Sequence, residues 1–426
     1  MATSYMNALT DTNKLPEKCY SISVRDLVAY LLPTGDLSGT FFSAQRSVAG
    51  TRAHQHVQKS RGEPYEAEVT VSHTVHIRDY AIQISGRIDG IFHEPDGDVL
   101  EEIKSTTRDP ISLKMHQNDH HWAQLKIYAY MHAVAQGLAQ TNTRLTYVQL
   151  ETHAILEINR EFDFAALKLF FDELVERFVD HADERKGWQA KRNRSIRDLA
   201  FPFPEYRKGQ REMAIRVFRA IREKHQMLVQ APTGIGKTMA AVFPAVKALG
   251  DNLVDRIFYL AARSTGKKVA EEAVAALQHQ GLRLRCLVLT AKEKICFNPG
   301  AACNADECEF ARGYYDRINE ALEYSLKSDL LNRHFVESMA WQHRVCPFEL
   351  SLDLSLSADV IVCDYNYAFD PQAYLRRFFQ IVEEGYLFLV DEAPHLVDRA
   401  RDMFSAAVSR RQFAEGEREL AGQLPQ

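Results

Sequence analysis

The octapeptide Ala231-Pro-Thr-Gly-Ile-Gly-Lys-Thr238 constrains this chain more than any other feature. It follows the apolar run Met227-Leu-Val-Gln230, which reads as a strand, and it opens a segment that reads as a helix. Gly236, Lys237 and Thr238 match the end of the phosphate-loop pattern Gly-x4-Gly-Lys-Ser/Thr, with Ala231 standing at its first glycine. Such a loop, here with Gly234 and Gly236, turns backbone N–H groups toward phosphate oxygens at the positive end of the following helix. Lys237 would then reach the β- and γ-phosphates of ATP, and Thr238 would coordinate Mg²⁺. A glycine-rich turn alone is commonplace; the strand–loop–helix context is what points to a nucleotide.

A second element completes that site. The apolar run Tyr386-Leu-Phe-Leu-Val390 delivers Asp391-Glu-Ala-Pro-His395. An acidic pair at the end of a strand suits Mg²⁺ chemistry: Asp391 would hold the ion and Glu392 would position or activate the attacking water.

The two parts of the chain read differently. Residues 1–190 suggest a helix at Ser23 to Leu32, with Ser23 and Asp26 as a capping box, and a second at Ser43 to Lys59. Alternating runs at Glu66–Ile77, Ala81–Phe92 and Val99–Ile103 predict a three-stranded meander. A long helix from Ile111 to Gly137, a strand at Arg144–Glu151 and an amphipathic helix at Phe164–Trp188 follow. Residues 189–200 are polar and basic and read as a linker. Residues 200–426 alternate helices with apolar strands at Met227–Gln230, Arg256–Leu260, Leu284–Leu289, Val360–Cys363 and Leu387–Val390, which predicts a parallel, helix-covered sheet. The overall expectation is an α/β protein of two domains.

The net charge of −5 gives no global field for nucleic acid, so a DNA surface has to be local. Arg185 to Arg197 could supply one, or could be a solvated linker. No signal-peptide pattern and no apolar run of membrane-spanning length occur in the sequence, and a cytoplasmic protein is expected.

The acidic box Asp391-Glu-Ala-Pro-His395 resembles the DEAH box of superfamily 2 helicases, with Pro394 inserted before the histidine. Tyr206 to Gln210 resembles their Q motif, which implies adenine contact by Gln210. Tyr259-Leu-Ala-Ala-Arg-Ser-Thr265 resembles the motif that touches the backbone of single-stranded DNA, and Ala358 to Tyr367 is similar to a segment of the XPD/DinG group.

Four cysteines, Cys296, Cys303, Cys308 and Cys346, lie between these motifs. Four thiolates satisfy either an iron–sulfur cluster or a tetrahedral zinc, although the spacing lacks the paired CxxC of most zinc sites. The XPD/DinG resemblance implies a [4Fe–4S] cluster in an insertion at about 291–350, holding a wedge against which duplex DNA is parted. Cys19, Cys286 and Cys363 read as packing residues.

The first domain carries its own constellation. Gly86-Arg-Ile-Asp89-Gly90 precedes Glu102-Ile-Lys104, and on a strand Glu102 and Lys104 share a face. A hairpin bringing Asp89 beside Glu102 would let two carboxylates hold Mg²⁺ or Mn²⁺, with Lys104 nearby, for attack on a phosphodiester. Taken singly, Asp-Gly is common in turns and Glu-x-Lys on solvated strands. Together they resemble the PD-(D/E)XK nucleases. Gly50-x3-His54 resembles a motif of RecB-like members that contributes a histidine metal ligand, and Gln124-x3-Tyr128 resembles their QxxxY motif.

The expected protein is therefore a RecB-like nuclease domain followed by the first motor domain of an XPD/DinG-like helicase. It would act on single-stranded or forked DNA, 5′ to 3′, in repair or recombination. Only 35 residues follow Asp391 and none resembles a second motor domain, so a fragment that binds ATP and hydrolyses it poorly is expected. Two rival readings are a DNA-binding adaptor with decayed nuclease and ATPase, and a nuclease regulated by ATP.

Overall fold

The computed structural model describes residues 18–37, 44–107, 109, 113, 119–371, 373–379, 385–407 and 409–420. The chain divides into two compact units, Met1–Trp188 with Gly300–Asp316, and Gln189–Pro299 with Arg317–Gln426.

The first unit is built on a six-stranded sheet. Its strands are β1 (Lys18–Ser23), β2 (Tyr65–Ile77), β3 (Tyr80–Glu94), β4 (Gly97–Thr106), β5 (Gln140–Gln149) and β6 (Ile155–Asp163). They run in the order β1-β3-β4-β5-β6, with β2 pairing β3. The expected meander is present as β2 to β4; β1 and β6 were not legible as strands. The helices are α1 (Val24–Leu31), α2 (Ala44–Ser60), α3 (Asp119–Gln136) and α4 (Phe164–Arg197). Ser23 caps α1 as its sequence predicts, its Oγ accepting from Asp26 N at 3.0 Å. The expected starts of α2 at Ser43 and of α3 at Ile111 lie outside the described residues. Leu27 of α1, Leu125 of α3 and Phe171 of α4 share the main core with Ile84 and Leu145 of the sheet, whereas Ala53 and Val57 of α2 pack with Ile103 and Val148.

Gly300–Asp316 joins this unit through its loop at 35–37. Leu37 N donates to Ala311 O at 2.9 Å, Tyr315 N to Gly35 O at 3.0 Å, and Gly313 N to Asp36 Oδ1 at 2.7 Å.

The second unit contains α5 (Gln210–Arg222), α6 (Lys237–Gly250), β7 (Arg256–Ala261), α7 (Ser264–His279), β8 (Cys286–Val288), β9 (Leu330–Leu331), α8 (Pro347–Ser355), β10 (Val360–Asp364), β11 (Tyr386–Val390), α9 (His395–Met403) and α10 (Arg410–Leu420). The five strands run in the order β11-β7-β10-β8-β9, and every pair is parallel. Burial of β7, β8 and nearly all of β10 explains why the sequence shows apolar runs there without alternation.

Three expectations need correction. Met227–Gln230 forms no strand, and Leu228 is 94% exposed. A four-residue apolar run has no periodicity to fix its state, and this one finds no ladder partner among the described residues. The linker at 189–200 is helical as far as Arg197, because Arg192 and Ile196 are buried and hold the last turns of α4 in place. Arg192 therefore offers no basic surface to DNA: its Nη1 lies 2.7 Å from Asp359 Oδ1, with both side chains almost wholly buried. Asp359 also accepts from Arg285 N at 2.9 Å. Asp359→Ala would strand a buried guanidinium, so the second unit should lose about 3–5 kcal/mol in denaturant unfolding. A loss under ~1 kcal/mol would show that water reaches the pair and screens it.

Among the described residues, no helix is long and apolar enough to cross a membrane.

Candidate functional site

In the second unit the phosphate loop enters α6 through Gly234 and Gly236, with φ of +85° and +79°. That left-handed backbone admits glycine at little cost and leaves the N–H groups facing outward. Lys237 begins the helix and its Nζ turns back to Ala231 O at 3.2 Å. Gln210 is buried beneath the loop: its Nε2 donates to Gly236 O at 3.1 Å and its Oε1 accepts from Arg207 N at 3.0 Å. A Cβ at Gly236 would come within 2.3 Å of that amide, so the glycine also makes room for Gln210. Gln210 thus braces the loop; contact with adenine would be an additional role.

Asp391 and Glu392 follow β11, which pairs with β7 in the register Leu389↔Tyr259 and Val390↔Leu260. Asp391 N extends that ladder by donating to Leu260 O at 2.9 Å. Tyr259 of β7 lies close to both Thr238 and Asp391, so the loop threonine and the acidic box approach one phenol. An oxygen pair at that point fits the hard ligands Mg²⁺ prefers. His395 Nε2 lies 3.6 Å from Glu392 Oε2.

The cysteines divide between the units. Cys296 and Cys346 belong to the second, and Cys303 and Cys308 to Gly300–Asp316 of the first, so neither unit gathers all four. Cys346 is the N-cap residue of α8, and its sulfur accepts N–H bonds from Phe348 and Glu349. Burial nonetheless pushes its thiol up to about 11, with the Glu349 carboxylate and Cys296 adding to the rise. Two N–H donors at a helix N-terminus suit a thiolate held by a metal or cluster.

In the first unit the hairpin of β3 and β4 brings the predicted residues together. Gly90 pairs with Glu101, which sets Asp89 beside Glu102. Asp89 Oδ2 accepts from Ile103 N at 2.7 Å. Burial and the neighbouring Glu102 carboxylate hold Asp89 well above the usual carboxylate range. Glu102 and Lys104 share a face as expected, 2.5 Å apart, and Lys104 Nζ donates to Gln124 Oε1 at 2.8 Å. His54 Nδ1 stands 3.9 Å from Asp89 Oδ2, and burial and Lys104 depress its basicity, favouring the neutral form that binds metals. Among the described residues, no three His, Cys, Asp or Glu side chains converge in metal-binding geometry. His54, Asp89 and Glu102 are neighbours, with Lys104 and the Ile103 N–H engaging the carboxylates.

Small residues permit this assembly. A Cβ at Gly90 would fall 1.8 Å from the Tyr65 hydroxyl, and one at Gly86 would fall 2.7 Å from the Tyr128 ring. One turn of α2 separates His54 from Gly50, where a Cβ would lie 3.2 Å from Ser105 Oγ. The Gly50-x3-His54 and Gln124-x3-Tyr128 spacings are thereby explained as close helix–strand approaches beside the carboxylates.

Several participants were not picked out from sequence. Glu101 is fully buried, 2.5 Å from Arg61 Nη2, and it accepts from Tyr65 OH at 2.9 Å. Its signal was only the period-two rule, which sends Glu101 and Glu102 to opposite faces. His121 Nδ1 lies 3.0 Å from Tyr147 OH, and burial, Lys104 and His120 push its pKa down to about 3. His121 thus stays neutral in the fold while the unfolded chain protonates near 6.5. That depressed value stabilises fully above pH 6.5, and the contribution is lost progressively as pH falls from there toward 3. The stability difference between wild type and His121→Gln should shrink from pH 7.5 to pH 5; parallel pH profiles of unfolding would rule this out.

Residues 211–298 match the family model DEAD/DEAH box helicase, and residues 263–413 match DEAD_2. This part of the chain is similar to DEAD/DEAH box helicase domains. The Regulator of telomere elongation helicase 1 of Homo sapiens is 24% identical over 266 residues, 51% of this chain and 22% of its own length. The Fanconi anemia group J protein homolog of Gallus gallus is 26% identical over 195 residues, 41% of this chain and 15% of its own length. The chain thus spans at most about a fifth of the length of these relatives. The solved "XPD_Helicase" structure aligns with 47% of this chain and 35% of its own at 18% identity and a TM-score of 0.33.

Proposed function

We propose that this chain is the ATP-binding part of a DNA helicase, fused to a metal-dependent DNA nuclease, working on single-stranded or forked DNA in repair or recombination. The observation that carries the helicase reading is the glycine-built loop that opens α6 at Lys237 together with the acidic pair at the end of β11 in one parallel sheet, within the matched residues. Lys237 would bind the terminal phosphates, Glu392 would direct water, and Mg²⁺ held near Thr238 and Asp391 would offset phosphate charge.

The nuclease reading is supported by Asp89, Glu102, Lys104, His54 and Gln124 as neighbours on one hairpin and its two flanking helices. A divalent ion between the carboxylates would supply an activated water, while Lys104 would stabilise charge on the phosphate. The cluster reading is supported by Cys346, whose sulfur already accepts two backbone donors and senses Cys296.

Anaerobic purification followed by titration with a labelled single strand tests the reading. A brown protein with about four irons per chain is expected, as four thiolates around a [4Fe–4S] cluster require. It should bind the strand saturably, more weakly as salt rises. A colourless chain with one zinc would replace the cluster by a structural zinc site, and a chain that ignores DNA would end the helicase and nuclease readings together.

A further inference from the structure

Two tyrosines outside the phosphate loop converge on the acidic box. Tyr259, on β7, is 3% exposed, and its phenol neighbours the Thr238 and Asp391 side chains, with the β7–β11 register placing it opposite Leu389, two residues before Asp391. Tyr365, one residue past β10, is 1% exposed. Its hydroxyl donates to Asp391 O and also lies 3.1 Å from Glu392 O. Glu392 holds φ at +50°, a left-handed conformation that a non-glycine residue keeps only when its surroundings impose it. One phenol therefore stands beside the carboxylate of Asp391, and the other fixes the backbone turn that carries Glu392.

Both tyrosines come from segments the sequence assigns elsewhere. Tyr259 opens the stretch resembling a DNA-backbone motif, yet it lies within β7, and the chain leaves the strand only after Ala261. A tyrosine hydroxyl is a hydrogen-bond donor at neutral pH. Packing alone would be served equally by phenylalanine; the hydroxyls matter only for what they bond.

We infer that Tyr259 and Tyr365 are positioning residues for the metal of Mg²⁺·ATP, holding Thr238 and Asp391 in ligand register and Glu392 in its strained turn. The inference rests on the ATP-site reading. A partner that orients a metal ligand commonly governs metal affinity by 10- to 100-fold, about as strongly as a weak ligand would.

The test is a Mg²⁺ titration of the full chain with a fluorescent ATP analogue, repeated in EDTA. Tyr259→Phe and Tyr365→Phe should each raise the Mg²⁺ midpoint about tenfold while leaving metal-free nucleotide affinity unchanged. Melting temperatures near wild type would exclude a folding defect. An unchanged Mg²⁺ midpoint in both variants would overturn the inference. So would equal losses with and without Mg²⁺, which would assign the tyrosines to packing of the loop. A wild-type chain that binds no analogue in either condition fails the ATP-site reading itself and takes the inference with it.

Discussion

Replacing Lys237 by alanine should abolish measurable ATP binding and leave the fold intact. Lys237 is the first residue of α6, where its Nζ reaches the loop carbonyl of Ala231, and its ammonium is available for phosphate. Losing one partner of a desolvated charge pair costs ~2–5 kcal/mol, or about 30- to 5,000-fold in affinity. The fold should survive because the sheet and the core below α6 rest on Val242, Ala245 and Leu249 and not on the lysine. Equilibrium titration of ATP onto wild type and Lys237→Ala checks this. Equal affinity in a folded variant would remove the phosphate-loop assignment.

The second large effect concerns the β3–β4 hairpin. Asp89→Ala and Glu102→Ala should lose Mn²⁺ binding and DNA cleavage together. Burial and mutual repulsion already disfavour ionising Asp89, a cost a divalent ion between the carboxylates would relieve. Lys104→Ala should behave differently. Its ammonium engages Glu102 and Gln124 and is no metal ligand, so metal affinity should persist or improve while turnover falls about 10²- to 10³-fold. Calorimetric Mn²⁺ titration beside a single-strand cleavage assay separates the two patterns. Cleavage by Glu102→Ala at the wild-type rate would leave a nuclease-like fold without nuclease chemistry, and the adaptor reading would replace it.

What was legible in the sequence follows from how local each signal is. The phosphate loop and the acidic box are contiguous, and each carries its own chemistry. The spacings Gly50-x3-His54 and Gln124-x3-Tyr128 are one helical turn, and a turn can be read without knowing the fold. The alternating strands β2 to β4 were equally plain, and they fix Glu102 and Lys104 on one face. The failures were non-local. Met227–Gln230 looks like a strand by composition, but strand formation needs a partner, and β11 pairs with β7 instead. Arg192 looks like a surface cation until Asp359, far along the chain, buries it. Tyr259 and Tyr365 fall in two motif-like segments of the sequence, and only tertiary structure reveals that both lie beside Asp391.

The central claim is that one chain carries two chemically separate sites, an ATP site in the second unit and a metal site in the first. The most direct measurement places both activities side by side in two variants. Lys237→Ala should cut single-stranded DNA in Mn²⁺ at the wild-type rate while failing to bind ATP, and Glu102→Ala should bind ATP normally while failing to cut. Loss of both activities in either folded variant, or wild-type protein that neither binds ATP nor cuts DNA, would contradict the claim.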